Sequence, residues 1–329
     1  MTTCNFNTWN APRVLIIVIF ALFSDVATAA GRVFDVTGDL IGELALTTTV
    51  DADTLLDVAK AYDQGFEEMR LANPTVDTWL PGEDTELLVP SHYILPNTKR
   101  RGIVINVPEM RMYVYPKSAA GARVYTYPIS IGRQDWVTPH GDTRITQKVK
   151  DPNWYPPESI RLEHAERGDP LPKVVPAGPD NPLGQHALRL SLPGYLIHGT
   201  NKPSGIGMRV THGCIRMYPE NIESVFSMVK VGTPVSIVNQ PYKVGFANGT
   251  VYLEVHPPLE EDTERFKDEF THVVELIIQQ AGDAKLSLNW ADLQQTLKRR
   301  SGMPEAVATF SPAAPATVSN LTTRSDRSS

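Results

Sequence analysis

Tyr195-Leu196-Ile197-His198-Gly199-Thr200, followed by Thr211-His212-Gly213-Cys214-Ile215-Arg216, is the text that decides how this chain is read. The β-prone run 195–197 ends at His198, and Cys214 comes sixteen residues later. Between them, residues 201–207 include Pro203, Gly205 and Gly207 and can fold back, which would set His198 beside Cys214. Such a pair has a chemical use. The thiolate is the nucleophilic form of cysteine, a free thiol titrates near about 8.5, and a nearby imidazole can take its proton and later return it to a leaving amine. Gly213 permits a tight backbone beside the nucleophile. The N–H groups of Gly213 and Cys214 could then face a developing oxyanion, each such donor being worth about 3–4 kcal/mol of barrier. Cys214, His198, His212 and Gly213 are therefore the candidate catalytic residues. Arg216, always charged and able to grip a carboxylate bidentately, joins Gly199 and Thr200 as a candidate substrate contact.

Each residue also has a plainer reading. His198 could be a satisfied structural histidine, His212 a brace for its loop, and Arg216 half of a scaffold salt bridge. His198, His212 and Cys214 could supply three zinc ligands, but no carboxylate or second cysteine lies in the same segment, so no metal is expected. It is their conjunction that points to a cysteine acyl-transferase.

Working outward, the chain has 329 residues, 41% of them hydrophobic, enough for two or three domains. A net charge of −6 leaves no basic excess for phosphates, so nucleic acid is not expected as a partner. Residues 1–30 read as a cleavable export signal. Arg13 precedes the apolar run 14–23, and Ala27-Thr28-Ala29 offers small residues for cleavage. That run is about half the roughly 20 residues a membrane span needs, and no other segment is long and apolar enough, so no span is expected to remain after cleavage. Of the two cysteines, Cys4 would leave with the signal. A lone Cys214 in an oxidising compartment, where cysteines normally pair, is a sign of reactivity.

Residues 31–42 read as a leader. Over 43–92 the pattern is strand, helix, helix, strand, with Leu55, Val58, Ala59 and Tyr62 at helical spacing and Gly65 as a break. Residues 101–238 are strand-rich, with a proline-rich stretch at 151–186 expected to form an ordered lid or cleft wall. Residues 239–303 carry helical periodicity through Phe266, Val273 and Ile277, with Gly282 as a stop and a second helix starting at Asn289. Residues 304–329, rich in Ala, Thr and Ser, are expected to be disordered. The fold class is thus a mainly β catalytic domain, a β-sandwich or barrel, with a small βααβ N-terminal domain and a helical C-terminal extension.

Two family resemblances follow from these motifs. Asp53-Thr54-Leu55, Val58-Ala59, Tyr62, Asn73, Leu80-Pro81-Gly82 and Val89-Pro90 resemble a LysM module, which implies peptidoglycan or chitin binding; Ala52 stands where that family usually has glycine. His198-Gly199-Thr200 with Thr211-His212-Gly213-Cys214-Ile215-Arg216 resembles the signature of the L,D-transpeptidases, the YkuD-type catalytic domain. Thr138-Pro139-His140-Gly141, the segment 175–184 and Gly205-Ile206-Gly207-Met208-Arg209 look like its enterobacterial-type subgroup, some members of which anchor a lipoprotein.

The resemblance implies a periplasmic enzyme without cofactor that uses Cys214 as nucleophile and His198 as proton donor and acceptor. Its donor would be a tetrapeptide stem of peptidoglycan, cut between meso-diaminopimelate and D-alanine. The acceptor would be a second stem, giving a 3→3 crosslink, or a lysine at the C-terminus of an outer-membrane lipoprotein. Hydrolysis of the same acyl-enzyme, as in an L,D-carboxypeptidase, is the nearest alternative. A non-catalytic peptidoglycan-binding protein is the alternative from another class.

Overall fold

Ile103, Val104, Ile105, Met112, Tyr113 and Val114 are all at most 1% exposed, so the strands that carry them are covered on both faces. The computed structural model describes residues 31–117 and 122–311. The chain begins with β1 (Arg32–Asp35), β2 (Leu40–Gly42), β3 (Ala45–Thr48), α1 (Leu55–Ala61), α2 (Phe66–Ala72), β4 (Glu86–Val89) and β5 (His92–Ile94). Then come β6 (Gly102–Asn106), β7 (Arg111–Tyr115), β8 (Arg123–Pro128), β9 (Ile131–Gly132), β10 (Gly141–Lys150) and α3 (Glu158–Glu166). Next are β11 (His186–Leu190), β12 (Leu196–His198), β13 (Arg209–Thr211), β14 (Ile215–Arg216), α4 (Pro219–Met228) and β15 (Pro234–Val238). The last part holds β16 (Tyr242–Ala247), β17 (Thr250–Val255), α5 (Glu269–Ala281), β18 (Lys285–Leu288), α6 (Trp290–Arg299) and β19 (Glu305–Ser311).

Nine strands form one mixed sheet in the order β1-β8-β7-β6-β15-β10-β11-β12-β14. Alternation along β6 and β7 divides the interior in two. Ile103, Ile105, Met112 and Val114 face the main core with Leu188, Ile197, Ile215 and Val225 of α4, whereas Val104, Tyr113 and Tyr115 pack beneath Ile41, Tyr93 and Leu95. The sheet curls until its last strand meets the segment after β8. Ser130 N donates to Arg216 O at 2.8 Å, and Arg216 N donates to Ser130 O at 3.0 Å. This near-closure fits the expected mainly β, barrel-like architecture and brings β14 beside β9.

Residues 45–89 follow the expected strand-helix-helix-strand order, around Leu55, Val58, Met69 and Leu87. Thr54 and Asp57 make a capping box at the start of α1. This unit is docked firmly on the sheet. Glu68 forms a buried ion pair with Arg111, Nη2 donating to Oε2 at 2.6 Å, and Phe66 N and Glu67 N donate to Ile206 O and Gly207 O at 3.1 and 3.2 Å.

Three boundaries differ from expectation. Residues 31–42 are not a detached leader: β1 pairs antiparallel with β8 and β2 with β5. Strands of four and three residues are too short for periodicity to reveal. The C-terminal extension is not simply helical, since β16-β17-β19-β18 form a sheet on which α5 and α6 pack. The expected disorder from 304 also gives way, because β19 is held by β17 and β18 on both edges, with Val307 1% exposed. There, backbone pairing compensates for small side chains. The export signal at 1–30 and residues 312–329 lie outside the described residues. No helix among the described residues is long and apolar enough to cross a membrane.

Candidate active site

β12 and β14 run parallel with Ile197 opposite Ile215 and His198 opposite Arg216. Side chains alternate along such strands, so His198 and Arg216 share one face, and Cys214 stands just before β14, near enough for Arg216 to act on its thiol. Gly213, with φ +93°, makes the approach possible; a Cβ there would come within 2.9 Å of the Tyr195 ring. The connection expected to fold back does so, through a short 3-10 turn over Pro203–Gly205 and strand β13.

His198 is buried, and its Nδ1 lies 2.6 Å from Gly199 O. A carbonyl can only accept, so Nδ1 carries the proton and Nε2 keeps its lone pair. Burial, aided by the charge of Arg216, pushes the imidazole down to about 3, against the pull of the Gly199 carbonyl. Burial also pushes the Cys214 thiol up, although the Leu196 N–H and Arg216 favour its thiolate. Both shifts favour a neutral thiol beside a neutral imidazole. The Sγ points toward Gly194 O at 3.7 Å, and among the described residues neither His198 nor His212 is hydrogen-bonded to it.

Arg216 is not half of a scaffold salt bridge: among the described residues no carboxylate lies within ion-pair distance, and its buried Nε has no partner. Gly199 and Thr200 make local contacts in the turn after β12. The Gly199 carbonyl is engaged by His198, and the Thr200 hydroxyl, in a side chain 5% exposed, accepts from Lys202 N at 2.9 Å. Both residues thus help to hold the turn after β12.

His212 faces away, toward the proline-rich stretch. That stretch forms α3, whose Glu163 accepts from His212 Nε2 at 3.0 Å and from Arg133 and Arg167 at 2.6 Å each. The hydrogen bonds from Arg133 are the chief reason the Glu163 carboxyl is held at about 2. Burial lowers the His212 imidazole despite Glu163, and the Trp136 ring meets it edge-on at 5.1 Å. Sequence reasoning missed Glu163, Arg133 and Trp136. For Glu163 the only signal was the aromatic and turn content that marked 151–186 as a cleft wall; Arg133 and Trp136 lie outside that stretch and carried none. Asn181 pins that wall, its amide donating to Pro152 O at 2.8 Å and Pro176 O at 3.0 Å.

The L,D-transpeptidase catalytic domain family, YkuD, matches residues 100–237. Over 300 residues the chain is 38% identical to the probable L,D-transpeptidase YbiS of Escherichia coli K12, covering 89% of this chain and 97% of YbiS. The chain belongs to the L,D-transpeptidase family. It is similar as well to the probable L,D-transpeptidase YcfS of the same organism, 41% identical over 77% of this chain and 80% of YcfS. The solved catalytic domain of the E. faecium L,D-transpeptidase aligns with 43% of this chain and 99% of its own at 21% identity and a TM-score of 0.33. An L,D-transpeptidase is a cysteine-dependent enzyme, and Cys214 is the one cysteine among the described residues.

Proposed function

We propose that this L,D-transpeptidase works in the periplasm on peptidoglycan, with Cys214 as nucleophile and His198 as its base. The observation that carries the reading is the fixed tautomer of His198: the Gly199 carbonyl holds the proton on Nδ1 and leaves Nε2 free to accept. As Sγ attacks the carbonyl between meso-diaminopimelate and D-alanine of a tetrapeptide stem, Nε2 takes the thiol proton. The tetrahedral oxyanion lies against the backbone at Gly213-Cys214. When the intermediate collapses, the C–N bond breaks, the imidazolium protonates the departing D-alanine amine, and a thioester remains. An acceptor amine then attacks the thioester, giving a proton to His198; the C–S bond breaks and the imidazolium returns that proton to the departing sulfur, restoring the thiol. That amine belongs to a second stem or to a lipoprotein lysine. Arg216, half-buried, close enough for its charge to act on the Cys214 thiol and unpaired among the described residues, is suited to a carboxylate of the stem. The βααβ unit exposes Trp79 and Leu80, and an apolar surface of this kind supports a LysM-like contact with glycan.

Intact-mass measurement with a tetrapeptide stem tests this reading. Wild type should gain the mass of the acyl group, and adding diaminopimelate stems or a lipoprotein C-terminal peptide should discharge it into a crosslinked product. Cys214→Ala should abolish turnover while binding to isolated cell wall persists. Crosslinking by that variant would refute the reading, and discharge to water alone would make the enzyme a carboxypeptidase.

A further inference from the structure

Thr138 lies in the connection between β9 and β10, with no place in the acyl-transfer steps above. It is 2% exposed, and both of its hydroxyl contacts are to backbone. Gly132 N donates to Oγ1 at 2.9 Å, and Oγ1 lies 3.0 Å from Gly213 O. The directions are unambiguous, because an amide N–H only donates and a carbonyl only accepts; the single hydroxyl proton must point at Gly213 O. Carbonyl and N–H lie antiparallel across a trans peptide, so this bond also orients the N–H of Cys214, aiming it away from Thr138. On the other side of the nucleophile, Thr211 Oγ1 donates to Cys214 O at 2.6 Å. Both carbonyls flanking the nucleophile's amide and Cα are thereby anchored.

The anchored N–H has no acceptor among the described residues. β12 and β14 are paired through Ile197↔Ile215 and His198↔Arg216, and among the described residues Cys214 N has no hydrogen-bond acceptor. An amide with no protein acceptor beside a partly exposed nucleophile is free to donate to a substrate oxygen. Gly132 adds a constraint: its ideal Cβ would sit 3.0 Å from Gly213 Cα and 1.8 Å from Trp136 O, so the scaffold beneath the peptide has no slack.

We infer that Thr138 is a positioning residue for the oxyanion: its hydroxyl locks the Gly213–Cys214 peptide so that the Cys214 N–H points at the oxygen that becomes negative during acyl transfer. The inference rests on Cys214 being the acylated nucleophile. Thr138→Val keeps the shape and removes both hydroxyl contacts. Two reactions of the same thiol then separate the effects. Acylation passes through a tetrahedral oxyanion, whereas alkylation by iodoacetamide displaces iodide at a saturated carbon and forms none.

Loss of one oxyanion donor typically costs about 10²–10³ in rate. Thr138→Val should therefore lower the acylation rate by a stem peptide about 100-fold, with the effect in kcat rather than KM. Iodoacetamide alkylation should stay within about twofold, and Thr138→Ser should recover most of the acylation. Equal losses in both reactions would reduce Thr138 to a general structural support, and unchanged acylation would overturn the inference. A serine variant as slow as the valine one would overturn it too. Should Thr138→Val fail to fold, Thr138→Ala is compared with Thr138→Ser on the same two readouts. A wild type that alkylates at Cys214 but never acylates would instead remove the nucleophile reading on which the inference stands.

Discussion

His198 and Cys214 are pushed in opposite senses by the same cause. Burial lowers the imidazole to about 3 and raises the thiol, so the resting pair is neutral and the proton moves as the bond to carbon forms. A preformed imidazolium–thiolate would alkylate at a rate nearly flat from pH 5 to 8. We expect instead that iodoacetamide labelling of Cys214 is slow at pH 6 and climbs through pH 9; a flat profile would show that an ion pair exists. The sequence supplied this pair because strand end, turn glycines and motif lie within one short segment. Glu163 and Thr138 were not legible in the same way, since they reach His212 and Gly213 across 49 and 75 residues. Glutamate on a short helix and a threonine before a proline carry no local mark of such partners.

At the scale of elements, the turn between His198 and Cys214 is held from outside by α2. Gly207 has φ +84°, and a Cβ there would lie 2.2 Å from Phe66 N and 2.4 Å from Gly65 Cα, where backbone cannot yield as a side-chain tip can. The left-handed conformation costs a non-glycine residue roughly 1–2 kcal/mol, and overpacking typically adds about 1–3. Gly207→Ala should therefore destabilise the protein by about 2–5 kcal/mol in urea unfolding and slow acylation by displacing the turn. Gly205, in the same turn, meets nothing closer than Val210 Cγ2 at 3.6 Å and has no positive φ. Gly205→Ala is the control and should change stability by less than about 1 kcal/mol. Equal effects at the two positions would show that the contact with α2 does not hold the turn. The helices around Gly65 were readable from periodicity and breakers. Their docking was not, because Phe66 and Glu67 use backbone N–H groups that any sequence would offer.

At the scale of the whole molecule, three stretches of chain meet on one buried ammonium. Lys243 Nζ in β16 donates to Glu109 Oε1 at 2.8 Å, Glu254 Oε1 at 2.6 Å and Ile94 O at 2.7 Å, with the Tyr113 hydroxyl farther off at 3.3 Å. Glu254 in turn accepts from Ile94 N at 2.6 Å and contacts His256 Nε2 at 2.7 Å. Glu109, Glu254 and His256 have the spacing of metal ligands, but Lys243 supplies the positive charge to both carboxylates. A second tie joins the C-terminal unit to β13, where Glu261 receives both Arg209 Nη groups at 2.9 and 2.8 Å. No sequence pattern could announce either junction, since each charge looks like an ordinary surface residue until its distant partners are known. Burial works against the Glu254 carboxylate, yet Lys243 and His256 outweigh it and hold the group below its ordinary value. A carboxyl lowered on folding contributes its stability above the unfolded value, near 4.5, and loses it as pH falls through the folded one. Lys243→Met removes the ammonium, leaving buried Glu109 without an ion-pair partner and Glu254 with only His256, which costs about 3–5 kcal/mol at neutral pH. In acid those carboxylates can take up protons, which relieves the penalty. Urea unfolding at pH 7 and pH 4 should thus show the gap between wild type and Lys243→Met narrowing in acid. A gap below about 1 kcal/mol at pH 7, or one that widens in acid, would mean that the three stretches are joined by apolar packing and not by this charge.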